Sequence, residues 1–341
     1  MRHSTFFWFI FPSAVAMLLF IALPIVSVFV QSLHAEHEQV LKEVEACSVF
    51  SCEKQVTVDA EATKQLYEEK PLGQFVGLAN YTNRAHLAFD EIGQLWSNAE
   101  GVTGFIGDLG NLPFYRALGF TLTYTFVVTP LVIILGFVIA LAINTLTPRI
   151  KGPVIFFSLL PMIITPLIGS LILFWMIDSS GIIGASIQAL FNDPNLSLKA
   201  STVLTWIMLI VYGVWSSAPF AFVVFYAGLQ TVPQDTLESA MIDGATRWER
   251  VRYVVIPYLA PLALFVGLIQ LMDNFRVFEP IVGFNAEAHA TSLSWIIYND
   301  MSSDVALLNS AATKSMLTII GVAILLLPVL VRTWRDFKAQ S

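Results

Sequence analysis

The residue types that most often carry catalysis or bind metals are few and scattered in this chain. Its five histidines all fall outside the long apolar runs and show no metal-ligand spacing. Only His34 and His37 are close enough to share a helical face, and a solvated role is favoured over a metal site. The sequence contains neither a phosphate-binding Gly-Lys loop nor a nucleophile elbow. We therefore expect no catalytic residues, no metal and no cofactor bound by this chain itself.

The polar segment at residues 237–257 lies between two long apolar runs of the chain. Its sequence is LESAMIDGATRWERVRYVVIP. Gly244 can adopt the left-handed conformation that ends a helix, and Pro257 can begin the next one. Two short helices joined by a turn are therefore predicted, an arrangement suited to docking in a groove on a partner. Because charged side chains are costly in hydrocarbon, the segment must lie outside the lipid on one face of a membrane.

The rest of the chain is apolar enough to require a membrane. Hydrophobic residues make up 56% of the 341 residues, charged residues make up 13%, and the mean hydropathy is +0.71. A membrane-spanning helix needs about 20 apolar residues. Six runs contain no Asp, Glu, Lys or Arg: residues 4–33, 117–148, 152–177, 200–234, 253–272 and 315–331. An all-α membrane protein with six transmembrane helices is therefore predicted.

The first and last of these runs raise separate questions. The first run is much longer than the roughly 7–15 apolar residues of a secretory signal, and no clear cleavage site follows it. An uncleaved first span is the better interpretation. The last run is the shortest, and Lys314 at its edge is expected to extend its ammonium group to the lipid headgroups.

The basic residues of the short loops predict the orientation of the chain. With a cytoplasmic N-terminus, the inner segments hold nine basic and five acidic residues, while the outer segments hold the other nine basic and 20 acidic residues. Both termini and residues 237–257 are then cytoplasmic. The formal net charge of −7 arises outside the membrane and gives no indication of nucleic-acid binding.

This topology divides the chain into four regions. They are residues 1–30 with the first span, an outer subdomain at 31–113, a five-helix core at 114–331 with an inner loop at 231–257, and a tail at 332–341. Residues 35–70 are rich in helix-forming Glu, Lys, Ala and Gln, whereas the glycine-rich stretch 101–110 favours a loop. The third span is predicted at 155–177, broken by Pro161 and Pro166.

The two cysteines of the chain, Cys47 and Cys52, both lie in the outer segment. In an oxidising compartment, a disulfide that closes a small loop is the natural interpretation. Two free thiols, or half of a metal site, are the alternatives. The role is structural in each case.

The spacing within the polar segment resembles a known signature. Glu238-Ser239-Ala240 is followed by three residues, Gly244, nine residues and Val254-x-Ile256-Pro257. The EAA signature of permease subunits of bacterial ABC importers has the same spacing, with Glu-Ala-Ala, Gly and Ile-x-Leu-Pro. The resemblance implies that this segment is a coupling helix pair that docks on an ATPase subunit. The residues it assigns to coupling are Glu238, Ser239, Ala240, Asp243, Gly244 and Ala245.

The stretch from Phe75 to Tyr81 also resembles the sugar-uptake branch of that family, which includes the larger permease subunit of the maltose importer. The resemblance implies a type I ABC importer permease fold with a large periplasmic loop after the first helix, located in the bacterial inner membrane. The implied partners are a second homologous permease subunit, an ATPase dimer that binds ATP and Mg, a periplasmic solute-binding protein and a carbohydrate. Residues 83–113 and 281–290 depart from the family pattern.

Two spans hold polar residues that could line a solute pathway. In sugar permeases the contacts come from the spans before and after the EAA loop. The resemblance assigns Trp215, Ser216, Ser217 and Phe220 in the former, and the helical spacing selects Gln270, Asp273 and Asn274 in the latter. Polar side chains at such depth usually face a bundle interior or a water-filled cavity. The alternatives are that Asp273 pairs with Arg276 and that Gln270 bonds a neighbouring helix.

Two other classes of function remain open at this point. A secondary transporter driven by an ion gradient would usually be built from internal repeats and often carry intramembrane charges. The sequence has no visible repeat and, Asp273 apart, no charge relay. A membrane-embedded enzyme would need a catalytic constellation, and none is visible. Co-purification with an ATPase and a second permease would separate the importer from both alternatives.

Overall fold

The computed structural model describes residues 3–37, 40–47, 52–70, 72–99, 101–303 and 306–340. Within this part of the chain, five helices are long and apolar enough to cross a membrane, and a pair of helices bent by 95° gives a sixth when it is counted as one span. These elements cover all six predicted runs. The chain divides into two compact units, Met1–Arg116 with Ile296–Gly321 and Ala117–Trp295 with Val322–Ser341.

The first unit begins with the first span and continues into a mixed subdomain. In chain order its elements are α1 (His3–Met17), α2 (Leu23–Ser32), β1 (His34–Ala35), β2 (Leu41–Cys47), β3 (Cys52–Val58), α3 (Ala60–Glu69), β4 (Gln74–Phe75), α4 (Ala79–Thr82), α5 (Phe89–Asn98) and α6 (Gly101–Leu109). Strand β1 pairs with β4, and β2 pairs with β3, both antiparallel. Two small sheets therefore interrupt an otherwise helical protein.

The first span is one apolar helix with a π-helical turn at Leu18–Ala22 between α1 and α2. In this turn the Leu23 N–H donates to the Leu18 carbonyl, five residues back. Pro24 follows directly and has no N–H to give to a regular helix. The wider turn thus carries the chain past this proline without ending the span.

Two sequence predictions for the outer subdomain were wrong. Among the described residues of 35–70, only α3 is helical, because residues 41–47 and 52–58 pair as strands β2 and β3. Overall composition favoured helix there, whereas strands are stabilised by hydrogen bonding to each other, here in a register that sets Val44 opposite Gln55 and Glu43 opposite Val56. The stretch 101–110 is mostly the helix α6. Its apolar residues recur at helical spacing, which outweighs the cost of its glycines.

The hairpin register places Cys47 directly opposite Cys52. Directly paired residues of antiparallel strands have Cα atoms about 4.5–5.5 Å apart, which is within the range that a disulfide spans. The register is therefore compatible with the proposed bond, which stays a prediction.

The first unit has a buried polar cluster at the start of the last span. Lys314 Nζ lies 2.6 Å from Asp300 Oδ2, and these two side chains expose only 9% and 8% of their surface. The Ser310 hydroxyl donates to the same carboxylate oxygen at 2.6 Å. His86 Nε2 lies 3.1 Å from Ser310 Oγ, and burial lowers the pKa of this histidine. The expectation that Lys314 reaches the headgroups was wrong, because a buried carboxylate holds it.

Further hydrogen bonds within the first unit fasten the subdomain to two spans. Asn80 Nδ2 donates to the Ser32 carbonyl at the end of the first span, at 3.1 Å, and to Thr313 Oγ1 of the last span, at 2.7 Å. Glu36 Oε1 accepts from the Asn309 N–H at 2.6 Å and thereby caps the start of the last span. The subdomain is therefore held at the level where these spans end and begin.

Most of the remaining elements belong to the second unit. In chain order the remaining elements are α7 (Pro113–Asn144), α8 (Pro148–Ile163), α9 (Pro166–Met176), α10 (Ile182–Phe191), α11 (Thr202–Leu229), α12 (Gln234–Ile242), α13 (Arg247–Arg250), α14 (Ile256–Phe275), α15 (Glu279–Gly283), α16 (Leu293–Ser302) and α17 (Leu308–Gln340). The start of α7, most of α16 and the first part of α17 belong to the first unit. The core of the second unit is apolar and includes Val128, Leu209, Phe222 and Val266. Helices α7 and α11 approach closely at Gly136, where a Cβ would clash with Ala221 and the Phe222 backbone.

The predicted third span is two helices rather than one. Helices α8 and α9 meet at 95°, and Thr165 between them has an extended backbone with φ −62° and ψ 141°. The residue before a proline is driven out of the α conformation, so Pro166 ends the first helix and starts the second. By contrast, Pro161 lies inside α8 without breaking it.

Candidate functional site

The polar segment forms two helices joined at a sharp turn, as the sequence predicts. Helix α12 ends at Ile242, and Gly244 has φ +82°. The Ala245 N–H donates to the Ala240 carbonyl at 2.9 Å, and the Gly244 N–H donates to the Met241 carbonyl at 3.0 Å. This pair of bonds is a Schellman motif, which requires a left-handed residue at the position of Gly244.

The second helix of the segment begins earlier than predicted. The Thr246 N–H donates to Glu249 Oε2 at 2.7 Å, and the Glu249 N–H donates to Thr246 Oγ1 at 3.3 Å, which is a reciprocal capping box. From there the chain runs through α13 and a π-helical turn at Val251–Val255 into α14. Pro257 therefore lies inside a continuous helix, just after the π turn, and does not start a new one.

The turn region of the segment is exposed and partly apolar. Ile242 exposes 87% of its surface, and Trp248 and Tyr253 are also exposed. Of the predicted coupling residues, Glu238, Ser239, Asp243 and Gly244 are exposed, while Ala240 and Ala245 are half-buried. Large apolar side chains among charged neighbours are typical of a surface that binds another protein.

The base of the segment is fixed to the helices on either side. Leu237 packs against the apolar core of the second unit, and Val255 is part of that core. The Tyr258 hydroxyl donates to the Thr231 carbonyl at 2.8 Å, linking α14 to the end of α11. The base of the segment is therefore joined to both helices.

A cavity of about 470 Å³ lies in the second unit, between helices α7, α9, α11 and α14 and the start of α15. Its lining combines hydroxyl, amide and charged groups with apolar surface. The lining residues are Tyr124, Pro166, Ser216, Ser217, Asp273, Asn274, Arg276, Val277, Glu279 and Pro280.

The structure brings together four of the seven predicted pathway residues, Ser216, Ser217, Asp273 and Asn274. The other three are not among the residues that line the cavity. Trp215 is exposed on the surface of the chain, Phe220 packs against the apolar core, and Gln270 is buried. The sequence prediction missed Tyr124, Arg276 and Glu279. The last two lie just beyond the end of α14, so the helical spacing of Gln270, Asp273 and Asn274 did not include them.

Of the two alternatives for these polar residues, the ion pair is present, whereas, among the described residues, the bond to a neighbouring helix is made by Asn274 and not by Gln270. Arg276 Nη2 lies 2.9 Å from Asp273 Oδ1, so the expected ion pair is present, and both partners also line the cavity. Asn274 Nδ2 donates to Thr129 Oγ1 at 3.0 Å and lies 3.5 Å from Gln270 Oε1. These bonds orient the Asn274 amide at the cavity wall.

Residues 101–337 match the family of binding-protein-dependent transport system inner membrane components. The chain belongs to this family. Its members are integral membrane components of transport systems, so the chain is a multi-pass membrane protein with a transport role. This agrees with the spans and with the EAA-like spacing of the polar segment.

Curated relatives of the chain include sugar and polyol-phosphate permeases. The Trehalose/maltose transport system permease protein MalF of Thermococcus litoralis is 26% identical over 204 residues, which cover 58% of this chain and 68% of that protein. The sn-glycerol-3-phosphate transport system permease protein UgpA of Agrobacterium fabrum is 27% identical over 240 residues, covering 67% of this chain and 79% of that protein.

The fold is shared with a solved transporter. A chain of the bacterial ABC transporter that imports the acidic polysaccharide alginate superposes with a TM-score of 0.60 at 20% identity. The match covers 81% of this chain and 97% of that chain. The chain therefore has the fold of a type I ABC importer permease.

Proposed function

We propose that this chain forms one half of the membrane pore of an ATP-driven importer for a carbohydrate-like solute. In this proposal a second permease subunit forms the other half, and an ATPase dimer on the cytoplasmic side binds ATP and Mg. The termini and the segment 231–257 are cytoplasmic, and residues 31–113 face the periplasm, where a solute-binding protein delivers the solute. The observation that carries the proposal is the exposed helix pair around Gly244, rigidly joined to two spans that line a polar cavity.

The mechanism follows from this connection. When the ATPase subunits close on ATP, they push the exposed turn at Ile242–Gly244. Leu237 and Val255 pass the displacement to α11 and α14, because both side chains are packed into the core that these helices share. Asp273 lies 18 residues beyond Val255, about 27 Å along a helix. A tilt of these helices therefore moves the cavity wall while the chemistry of ATP hydrolysis stays on the partner.

The cavity suits a solute rich in hydroxyl groups. Its volume of about 470 Å³ is in the range of small-molecule sites. Ser216, Ser217 and the Asn274 amide offer both donors and acceptors, and Tyr124 and Pro166 offer apolar surface. Sugars need both kinds of contact. The names of the relatives, which include transport systems for trehalose, maltose and glycerol 3-phosphate, support the same class of solute.

Purification from membranes followed by reconstitution tests the proposal. We expect the tagged chain to co-purify with an ATPase and with a second, homologous permease. In proteoliposomes with the solute-binding protein present, uptake of a labelled sugar should then require ATP on the side of the ATPase. Uptake by the chain alone, independent of ATP, would instead establish a secondary transporter.

The cavity lining leads to a separate prediction about the neighbouring amides of Asn274 and Gln270. Asn274→Leu should reduce solute uptake about tenfold or more, because it removes a polar group from the cavity wall and puts an apolar one in its place. Gln270→Leu is the matched control for losing the bond between the two amides, because Gln270 lies 3.5 Å from Asn274 Nδ2 and is not among the lining residues. Initial uptake rates at equal amounts of assembled transporter measure the difference. An equal loss in both variants would indicate a structural role for the amide pair and exclude a solute contact.

A further inference from the structure

Helices α5 and α6 form an amphipathic hairpin that leaves an apolar face uncovered. In α5, Asp90, Glu91, Gln94, Ser97 and Asn98 occupy one side of the helix. At about 100° per residue, the opposite side holds the apolar residues, including Phe89, Ile92 and Trp96. In α6 the apolar residues Val102, Phe105, Ile106 and Leu109 likewise form one stripe.

The two apolar stripes are joined into one surface. The rings of Trp96 and Phe105 meet edge to face with centroids 5.1 Å apart. Around this contact, Phe89, Trp96, Val102 and Ile106 each expose more than half of their surface. Neighbouring aromatic and aliphatic side chains exposed together in this way are typical of a surface that contacts a partner or a membrane.

Both ends of the hairpin are pinned at the start of the second span. On the α5 side, the Leu87 carbonyl accepts from the Tyr115 hydroxyl at 2.8 Å, and Ala88 is buried. On the α6 side, only residues 110–112 separate Leu109 from Pro113, the first residue of α7. These residues form hydrogen-bonded turns, with the Leu112 N–H donating to the Leu109 carbonyl at 3.1 Å. The connection between α6 and α7 is therefore short and ordered.

The anchoring limits how far the hairpin can lie from the lipid. Helix α5 has 10 residues and α6 has nine, so neither can extend more than about 15 Å from its anchored end. The residue cluster around His86 and Ser310, immediately before α5, sits where the last span begins. The exposed apolar stripe is thus held close to the points where the second and last spans begin.

We propose that α5 and α6 form an interfacial hairpin whose apolar stripe lies in the headgroup region of the bilayer, at the end of the membrane where the second span begins. Trp and Phe side chains favour this depth, because it is apolar on one side and wet on the other. The inference depends on the membrane spans alone and not on the transported solute.

The charge of the hairpin specifies which lipid surface it fits. Residues 89–112 contain four acidic residues and no lysine or arginine. Attraction to anionic lipids therefore cannot hold the hairpin, and apolar burial must do so. The partner is a zwitterionic phospholipid surface, with the acidic face of α5 turned towards water.

Spin-label accessibility tests this placement. Single cysteines are introduced at Val102 or Ile106 in a Cys47→Ser, Cys52→Ser background, and at Thr103 or Asp108 as matched controls on the other face of α6. The full chain, with any subunits that co-purify, is reconstituted in phosphatidylcholine nanodiscs. Collision rates of the nitroxide with oxygen, which concentrates in lipid, and with a water-soluble nickel chelate are then compared.

We expect labels at Val102 and Ile106 to favour oxygen and labels at Thr103 and Asp108 to favour the nickel chelate. The preference should persist when anionic lipid is added. Equal access of the nickel chelate to both faces would overturn the proposal, because the stripe would then lie in water. Protection of Val102 and Ile106 from both reagents would also overturn it, because a protein would then cover the stripe.

Discussion

Replacing Gly244 by valine should abolish ATP-driven uptake while the protein still inserts and assembles. Gly244 has φ +82°, and no atom lies within 4 Å of the position that a Cβ would take. The effect therefore comes from the backbone and not from a clash. A β-branched residue resists the left-handed conformation by about 1–2 kcal/mol, which the chain can relieve by opening the turn. Opening it changes the angle between α12 and the following helix, and with it the surface presented to the ATPase.

Two variants isolate this effect from general damage. Asn tolerates the left-handed conformation better than other residues, so Gly244→Asn should retain most of the uptake. Ala245→Val places the same β-branched side chain one residue later, without a positive φ, and should have the smaller effect. Two quantities are measured in each variant: the rate of uptake, and the ATPase activity that the solute-loaded binding protein stimulates. The second reports the coupling between the permease and the ATPase. Normal stimulation in Gly244→Val would show that the turn does not transmit the motion.

The sequence was sufficient to locate this turn, because every interaction that forms it is local. Ala240 to Ala245 and Thr246 to Glu249 are bonded within six residues of each other. The prediction that Pro257 begins the second helix was wrong, although proline is a frequent first residue of helices. Here the Thr246–Glu249 capping box starts the helix earlier, and a π turn before the proline accommodates its missing N–H. The capping box was visible as Thr-x-x-Glu and could have been recognised.

The outer subdomain was harder to predict, since composition and pairing favour different structures there. Residues 41–47 and 52–58 include helix-forming Glu, Lys and Ala, but they pair with each other as strands β2 and β3. Conversely, the glycines of 101–110 concealed the helical spacing of Val102, Phe105 and Ile106. In both places the spacing of the apolar residues or the pairing of the strands determined the structure, and the average composition did not.

The cavity shows a different limit of sequence reasoning. Asp273 and Asn274 were found because they lie on one helix at a spacing that the sequence displays. Tyr124 and Glu279 reach the cavity from α7 and α15, and only the packing of separate elements brings them there. The same packing turns Trp215 outwards and buries Gln270. Spacing along one helix predicts which residues share a face, but it does not predict which other elements pack against that face.

Lys314→Met should destabilise the first unit more than any change to its surface charges. Asp300 and Lys314 are paired at 2.6 Å and are almost fully buried. Removing one partner of a buried ion pair costs about 3–5 kcal/mol, because the other charge is left without compensation. In Lys314→Met the Asp300 carboxylate would retain the bond from Ser310 but not the neutralising ammonium. The midpoint of thermal unfolding in detergent, followed by intrinsic fluorescence, measures the loss.

The double variant Asp300→Asn, Lys314→Met decides whether the loss comes from the orphaned charge. An amide at position 300 can still accept from Ser310, and no net charge remains buried, so we expect part of the stability to return. Lys64→Met is the control for removing an exposed lysine. Its pair with Glu68 spans 3.9 Å on the surface of α3, and exposed pairs contribute about 0–1 kcal/mol. If the double variant is no more stable than Lys314→Met, the lysine stabilises the unit by packing its aliphatic chain, and the charge pairing is incidental.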